Sequence, residues 1–314
     1  MIGLSEIKNA AARIAPHVRR TPLWHLPDAM LRDTPPYDLF LKLELLQVTG
    51  SFKPRGAFNR VLSEPAPVRG LVTSSGGNHG IAVAHVGKTL GLPVAIPLPA
   101  SVAPEKLAAM RALGAEADVV GPTFFVSNAK AKEIAAERGF LYLHPFAEPA
   151  GIAGQGTIGM EILEDLPDVD VVVIAVGGGG LLGGVAAAIK QQRKGIAVIG
   201  VEPVGADALT RSLAAGRPVT LEKIQTKAAT LAPPMTEQIN FELARRHVDN
   251  MVHVTDEEME SAAQWLWRRC FIAAELGGAA STAALLSGRV SIAAGKKVVS
   301  IVCGGGTAGI SRGP

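Results

Sequence analysis

Residues 171–189 carry no charge, yet they cannot form one continuous helix. Val171-Val172-Val173-Ile174-Ala175-Val176 is β-branched and apolar, as in a buried strand. Gly177, Gly178, Gly179 and Gly180 follow, and then an Ala-rich stretch that includes Gly183 and Gly184. Each glycine in a helix interior costs about 1 kcal/mol relative to alanine. The run therefore reads as strand, turn and buried helix, and not as a membrane span. The same alternation recurs along the chain. Strands are expected at 70–73, 93–97, 117–120, 197–201 and 296–302, with helices at 78–90, 104–113 and 181–192. Repeated strand–loop–helix units imply parallel sheets covered by helices on both faces.

The expected architecture is α/β with two domains, each an open, mostly parallel sheet flanked by helices. Residues 64–144 form one group of units and are assigned to a small inserted domain. Residues 1–63 and 145–314 are assigned to the large domain. Residues 145–159, rich in Gly and Pro, are expected to be a crossover between the two. The 314 residues are 48% hydrophobic and 19% charged, which suits a globular chain. Thirty-one basic and 28 acidic residues nearly balance, without a long basic run, and make no case for nucleic acid. The only cysteines are Cys270 and Cys303, too few for a disulfide framework, which suggests a reducing, cytoplasmic setting. Residues 1–20 carry charges throughout and lack an apolar signal core. Their arginines could mimic a transit peptide, but an amphipathic first helix is expected. No appended regulatory module is expected.

In parallel sheets, ligands bind beyond the carboxyl ends of the strands. Three glycine-rich turns fall at that edge: Ser74-Ser75-Gly76-Gly77-Asn78-His79-Gly80, Gly177-Gly178-Gly179-Gly180-Leu181, and Cys303-Gly304-Gly305-Gly306. A glycine turn feeding a helix exposes backbone N–H groups to an anion. One such turn alone is ordinary βα punctuation; three together favour a site. Ser51-Phe52-Lys53-Pro54-Arg55-Gly56 adds a lysine between an aromatic and a proline. In an apolar setting such a lysine can lose its proton and act as an amine nucleophile of the Schiff-base kind. A rival pattern exists: Gly178-x-Gly180-x-x-Gly183 fits the dinucleotide fingerprint, and Glu202 stands where a ribose-binding acid belongs. That pattern would make a nicotinamide oxidoreductase, but it leaves Lys53 and two turns without a role. No Gly-Lys-Ser or Gly-Lys-Thr follows a glycine loop, so a P-loop is excluded.

Taken together, these segments resemble the fold-type II pyridoxal-phosphate enzymes, whose fold is that of the tryptophan synthase β chain, in the branch of serine/threonine dehydratases (threonine ammonia-lyases) and serine racemases. The resemblance runs through Leu41-Lys42-Leu43-Glu44, Gly50-Ser51-Phe52-Lys53-Pro54-Arg55-Gly56-Ala57, Asn78-His79, His144-Pro145-Phe146, Gly154-Gln155-Gly156-Thr157, the tetraglycine turn, Val201-Glu202-Pro203 and Cys303-Gly304-Gly305. It implies pyridoxal 5'-phosphate as cofactor and Lys53 as the Schiff-base lysine that also moves the Cα proton. Phe52 would pack beside the cofactor, and Gly177, Gly178, Gly179, Gly180 and Leu181 would hold its phosphate. Asn78 would meet the ring hydroxyl and Cys303 the pyridine nitrogen. Ser75, Gly77, Asn78 and His79 would meet the substrate carboxylate. His79 also reads as a satisfied structural histidine, and Cys303 as a small buried hydrophobe. A homodimer acting on a small amino acid, with neither nucleic acid nor membrane as partner, is implied.

The expected reaction is β-elimination from a β-hydroxy amino acid such as L-threonine or L-serine, giving a 2-oxo acid and ammonia. Hydroxyaspartate or phenylserine dehydration, serine racemisation and β-replacement are alternatives within the same cofactor class. Three departures bear on the choice. The racemase serine is replaced by Gly76, which favours elimination. The family's divalent or monovalent cation site would use Glu202 and a later acid, but that later position is Ala208, with Asp207 adjacent, which leaves a metal requirement open. The family's Ala-Asp-Gly turn beside the substrate side chain is replaced by Ala232-Pro233-Pro234.

Overall fold

The computed structural model describes residues 2–26 and 37–310. Residues 1, 27–36 and 311–314, assigned above to the large domain, lie outside the described residues. Helix α1 (Leu4–Ile14) buries Ile7, Ala10 and Ile14, the stripe of an amphipathic helix. Strand β1 (Leu23–His25) runs antiparallel to β2 (Asp38–Lys42). A short 3-10 turn at Glu44–Leu46 leads to α2 (Lys53–Leu62). Pro54 lies in the first turn of α2, where its missing N–H breaks no helical hydrogen bond.

The chain then alternates through β3 (Leu71–Val72), α3 (Asn78–Leu90), β4 (Val94–Pro99), α4 (Pro104–Ala112), β5 (Glu116–Gly121), α5 (Phe124–Arg138) and β6 (Leu141–Tyr142). These strands make a parallel four-stranded sheet in the order β5-β4-β3-β6. It continues through α6 (Pro149–Asp165), β7 (Val171–Ala175), α7 (Gly180–Gln192), β8 (Ala197–Pro203), α8 (Ala208–Ala215), α9 (Gln238–His247), β9 (Asn250–Val254), α10 (Asp256–Cys270), α11 (Leu276–Leu286) and β10 (Lys297–Ile301). Here the sheet has six strands in the order β1-β2-β10-β7-β8-β9, parallel except at β1. The last strand, β10, lies between β2 and β7, with Ser300 opposite both Leu41 and Val173. Every residue of β7 is buried, as expected of a central strand covered on both faces.

Residues 145–159 lie between β6 of the four-stranded sheet and β7 of the six-stranded one, and most of them are helical: 149–159 belong to α6, a helix of 17 residues with Pro149 at its start. Its glycines serve close helix packing. A Cβ on Gly154 would lie 2.4 Å from the carbonyl oxygen of Arg55 in α2, and one on Gly159 would lie 2.9 Å from that of Val185 in α7. On the facing helix, a Cβ on Gly184 would lie 2.4 Å from the carbonyl oxygen of Ile152. Bare backbone thus lets α6 nest against α2 and α7, and this packing outweighs the poor helix propensity of glycine.

The two effects predict opposite signs for Gly154→Ala. Propensity alone would stabilise the helix by about 1 kcal/mol. Backbone overlap with Arg55 should instead destabilise the protein by about 1–3 kcal/mol. Denaturant unfolding decides; a midpoint at or above that of the parent would refute the packing account.

Candidate active site at the ends of the parallel strands

The three glycine turns follow β3, β7 and β10, all at the carboxyl ends of parallel strands. Because β7 and β10 are neighbours, the turns after them emerge side by side. The turn after β10 is zipped to the segment before Lys53. Phe52 N donates to Cys303 O at 3.1 Å, and Gly305 N donates to Gly50 O at 2.8 Å. Lys53 and Cys303 are therefore held together by backbone bonds, independently of side-chain rotamers.

Lys53 is the first residue of α2, and its Nζ donates to Pro145 O at 2.6 Å, 5.0 Å above the Phe52 ring. Part of the side chain stays accessible through the cleft, but the surrounding protein is dense enough that burial pulls the ammonium pKa down to about 8. Cys303 and Glu275 oppose that fall only weakly. The Cys303 thiol is pushed up to about 12, by burial first and by Glu275 second, so it stays a neutral thiol. Its Sγ–H donates to Gly277 O at 3.5 Å.

Phe146, next to Pro145, links Lys53 to the tetraglycine turn. A Cβ on Gly178 would fall 2.3 Å from the Phe146 ring, and one on Gly180 would fall 2.5 Å from Phe146 O. Thr236 Oγ1 and Asn240 Nδ2 both donate to Gly178 O, at 3.1 and 2.7 Å. Gly179, at φ 95°, adopts a left-handed conformation that a side chain would strain. The turn is pinned through its carbonyls, and α7 starts at Gly180, so its first N–H groups have no intrahelical acceptor. Gly177, Gly178, Gly179, Gly180 and Leu181 thus form a turn at a helix start whose N–H groups could cradle an anion.

The turn after β3 brings Ser75, Gly77, Asn78 and His79 to the start of α3. Ser75 Oγ lies 3.4 Å from Gly77 N. A side chain at Gly76 would press on Val102, with its Cβ 3.1 Å from Val102 Cγ2. The His79 ring is buried, and Nε2 lies 3.3 Å from Leu143 O, so that nitrogen carries the proton. Burial, helped by the Lys53 charge, holds the His79 pKa well below its ordinary value, and the ring is neutral. Its ring serves the core, leaving only its backbone N–H at the helix start.

Behind Lys53 lies a buried ion cluster. Arg55 Nε donates to Glu44 Oε2 at 2.8 Å, Arg55 Nη1 to Glu161 Oε1 at 2.6 Å, and Lys42 Nζ to Glu161 Oε2 at 2.6 Å.

Sequence reasoning missed Glu275, Thr236 and Asn240. Glu275 Oε1 accepts from Asn78 Nδ2 at 2.7 Å. A signal for it existed, since it is the sole charge among residues 271–286. Thr236 and Asn240 carry none, because they act on the tetraglycine turn from a distant segment.

Glu202, by contrast, lies fully buried and turned to another task. Its carboxylate accepts from Leu209 N at 2.8 Å, Thr210 N at 2.9 Å and Thr210 Oγ1 at 2.6 Å, anchoring the start of α8. Burial raises its pKa to about 7 despite those bonds. Asp207 is paired with Arg211 at 3.0 Å. With Ala208 at the next position, Glu202 and Asp207 are both taken up by protein partners, and no group of three or more His, Cys, Asp or Glu that could hold a metal ion occurs among the described residues.

A sequence profile described as Pyridoxal-phosphate dependent enzyme matches residues 14–304. The L-threonine ammonia-lyase of Thermotoga maritima is 40% identical over 307 residues, covering 97% of this chain and 76% of that one. The phenylserine dehydratase of Ralstonia pickettii is 38% identical over 308 residues, covering 97% and 93%. The structure of maize serine racemase superposes with a TM-score of 0.90 at 33% identity, covering 96% of this chain and 93% of that one. With Lys53, the tetraglycine cradle and Cys303 gathered at one sheet edge, the chain belongs to the pyridoxal-phosphate dependent enzymes of fold type II.

Proposed function

We propose that this protein is a pyridoxal-phosphate dependent ammonia-lyase that converts a β-hydroxy amino acid, such as L-threonine or L-serine, to a 2-oxo acid and ammonia. The observation that carries this proposal is a lysine of lowered pKa at the head of α2, bonded to the residue that precedes Phe146 and tied through its neighbour Phe52 to Cys303. Relatives named for threonine and phenylserine dehydration support it.

The residues fit the cofactor. Gly178, Gly180 and Gly304 leave backbone bare where any Cβ would collide with Phe146 or Glu275. Gly177, Gly178, Gly179, Gly180 and Leu181 would hold the phosphate through N–H groups, Phe52 would flank the ring, Asn78 would bond its hydroxyl, and Cys303 would face its nitrogen. When bound, pyridoxal phosphate supplies an aldehyde for amines and an electron sink for charge developing at Cα.

The chain's own residues do the rest. Ser75, Gly77, Asn78 and the backbone N–H of His79 receive the substrate carboxylate at the positive end of α3. Lys53 Nζ, half of it neutral at about pH 8, takes the Cα proton as general base. The β-hydroxyl departs as water, and hydrolysis of the resulting enamine yields the 2-oxo acid and ammonia. At the position where the resemblance implies a racemase serine, Gly76 offers no side chain and its neighbour Val102 cannot donate a proton, so racemisation lacks that second acid. A homodimer in a reducing cytoplasm fits the two free, buried cysteines and the family resemblance. Among the described residues no helix is long and apolar enough to cross a membrane.

Three measurements test the proposal. The cofactor-loaded protein should release 2-oxo acid from L-threonine or L-serine, and Lys53→Ala should lower turnover by more than about 10³-fold; near-normal turnover by the variant would remove Lys53 from the mechanism. The protein stripped of cofactor should react with an amine-directed reagent at Lys53 half-maximally near pH 8, because a lysine of lowered pKa sheds its proton earlier as pH rises than one at the ordinary 10.5. Peptide mapping reads this, and a midpoint above pH 10 would overturn the burial argument. Conversion of L-serine to D-serine should be negligible beside elimination; rapid interconversion would show a second acid that Gly76 does not provide.

A further inference from the structure

Asn78 is gripped from both sides by a charge pair drawn from two other elements. Lys106 on α4 donates from Nζ to Asn78 Oδ1 at 3.2 Å. Asn78 Nδ2 donates to Glu275 Oε1 at 2.7 Å, and Lys106 Nζ lies 3.5 Å from Glu275 Oε2, which closes the ring of contacts. Lys106 and Asn78 belong to the four-stranded unit, whereas Glu275 immediately precedes α11 on the six-stranded one. The side chains of Lys106 and Glu275 are only 25% and 11% exposed, so this pair is screened far less than a surface bridge.

The chemistry of the three groups permits one arrangement. An ammonium can only donate and a carboxylate only accept, so the carboxamide must turn its oxygen to Lys106 and its nitrogen to Glu275. The amide nitrogen has two N–H groups, and one is spent on Glu275. The other keeps a fixed direction. Glu275 is itself anchored, because its N–H donates to Gly304 O at 3.2 Å. A Cβ on Gly304 would lie 2.6 Å from Glu275 Oε1 and 3.1 Å from Asn78 Nδ2. The third glycine turn, next to Cys303, is therefore bare backbone where this clamp rests on it.

We infer that Lys106 and Glu275 are positioning residues that set the carboxamide of Asn78 and aim its second N–H at the ring oxygen of the cofactor. This rests on the reading proposed above, in which Asn78 meets the ring hydroxyl. The pair acts only through Asn78 and carries no proton in the reaction.

The test uses the cofactor-loaded protein and the variants Lys106→Met, Lys106→Arg, Glu275→Gln and the double Lys106→Met/Glu275→Gln. The absorption and fluorescence spectra of the bound cofactor, its dissociation constant, thermal stability, and kcat and KM for L-threonine are measured for each. Lys106→Met and Glu275→Gln should each change the spectrum and weaken cofactor retention. Each should lower kcat by about tenfold, the cost of one misdirected charge-assisted hydrogen bond, with little change in KM. Lys106→Arg should recover most of the loss. The double variant should be no worse than the worse single, because both changes release the same carboxamide. Unchanged spectra and kcat in both single variants would overturn the inference, even if thermal stability fell. So would losses that multiply fully in the double variant. If the loaded wild-type chain released no 2-oxo acid, the proposed reaction would fail, while spectra and cofactor retention would still decide the clamp.

Discussion

Four buried charges hold Lys53 in place. Arg55, Lys42 and Glu44 are fully buried and Glu161 nearly so, two cations against two anions. Buried ions are tolerated only when paired and fully hydrogen-bonded. Arg55 meets that condition through Glu44, Glu161, Thr157 Oγ1 and Arg19 O, and Lys42 does so through Glu161 and Thr21 O. An apolar cluster of equal volume could be as stable. What charges add is directionality: a planar guanidinium accepts few arrangements of two carboxylates. The cluster fastens β2, the turn at 44–46, α2 and α6 to one another. Lys53 stands two residues before Arg55 on the same helix, so its position follows from theirs.

The cleft then follows from topology. Parallel strands point their carboxyl ends the same way, and β10, the last strand in the chain, is threaded between β2 and β7. That insertion sets the Cys303 turn beside the tetraglycine turn and against residues 50–52. The opposite wall comes from the four-stranded sheet, through the turn that starts α3. Lys53 therefore sits between two bodies of protein, and burial lowers its pKa more than Cys303 or Glu275 raises it. His144 in the same region is driven down to about 4, by burial and then by Lys53, so neither it nor His79 competes as a cation near the lysine.

Much of this was legible in the sequence because local signals and tertiary needs agreed. Helices at 78–90 and 181–192 begin directly after glycine turns, and α3 and α7 start within a residue of the expected positions. What was not legible shares one cause. In α6, local propensity and packing disagree: Gly154 and Gly159 are poor helix formers, and only their contacts with α2 and α7 explain them. Glu202 was open to two functional readings because its partners, Leu209 and Thr210, bind through backbone and hydroxyl groups that no motif reveals. Glu275 and Asn78 are 197 residues apart, and their pairing exists only once two sheets face each other.

The same residues constrain which chemistry the site favours. A thiol held near pKa 12 with its proton on Gly277 O cannot hand a full positive charge to a ring nitrogen beside it. On the proposed reading, charge developing at Cα is then weakly stabilised and is best relieved at once by loss of a β-substituent. Reprotonation from the opposite face would be the competing exit, and Gly76, which stands beside Val102 where the resemblance implies a racemase serine, supplies no donor for it. A weak sink and a missing second acid thus point the same way, toward elimination. Pro233 lies against Gly177 of the tetraglycine turn, and residues 231–235 carry no ionisable side chain; on the proposed reading, in which this stretch frames the β-substituent, discrimination among β-hydroxy amino acids would fall to shape, with Pro233 and Pro234 stiffening the turn.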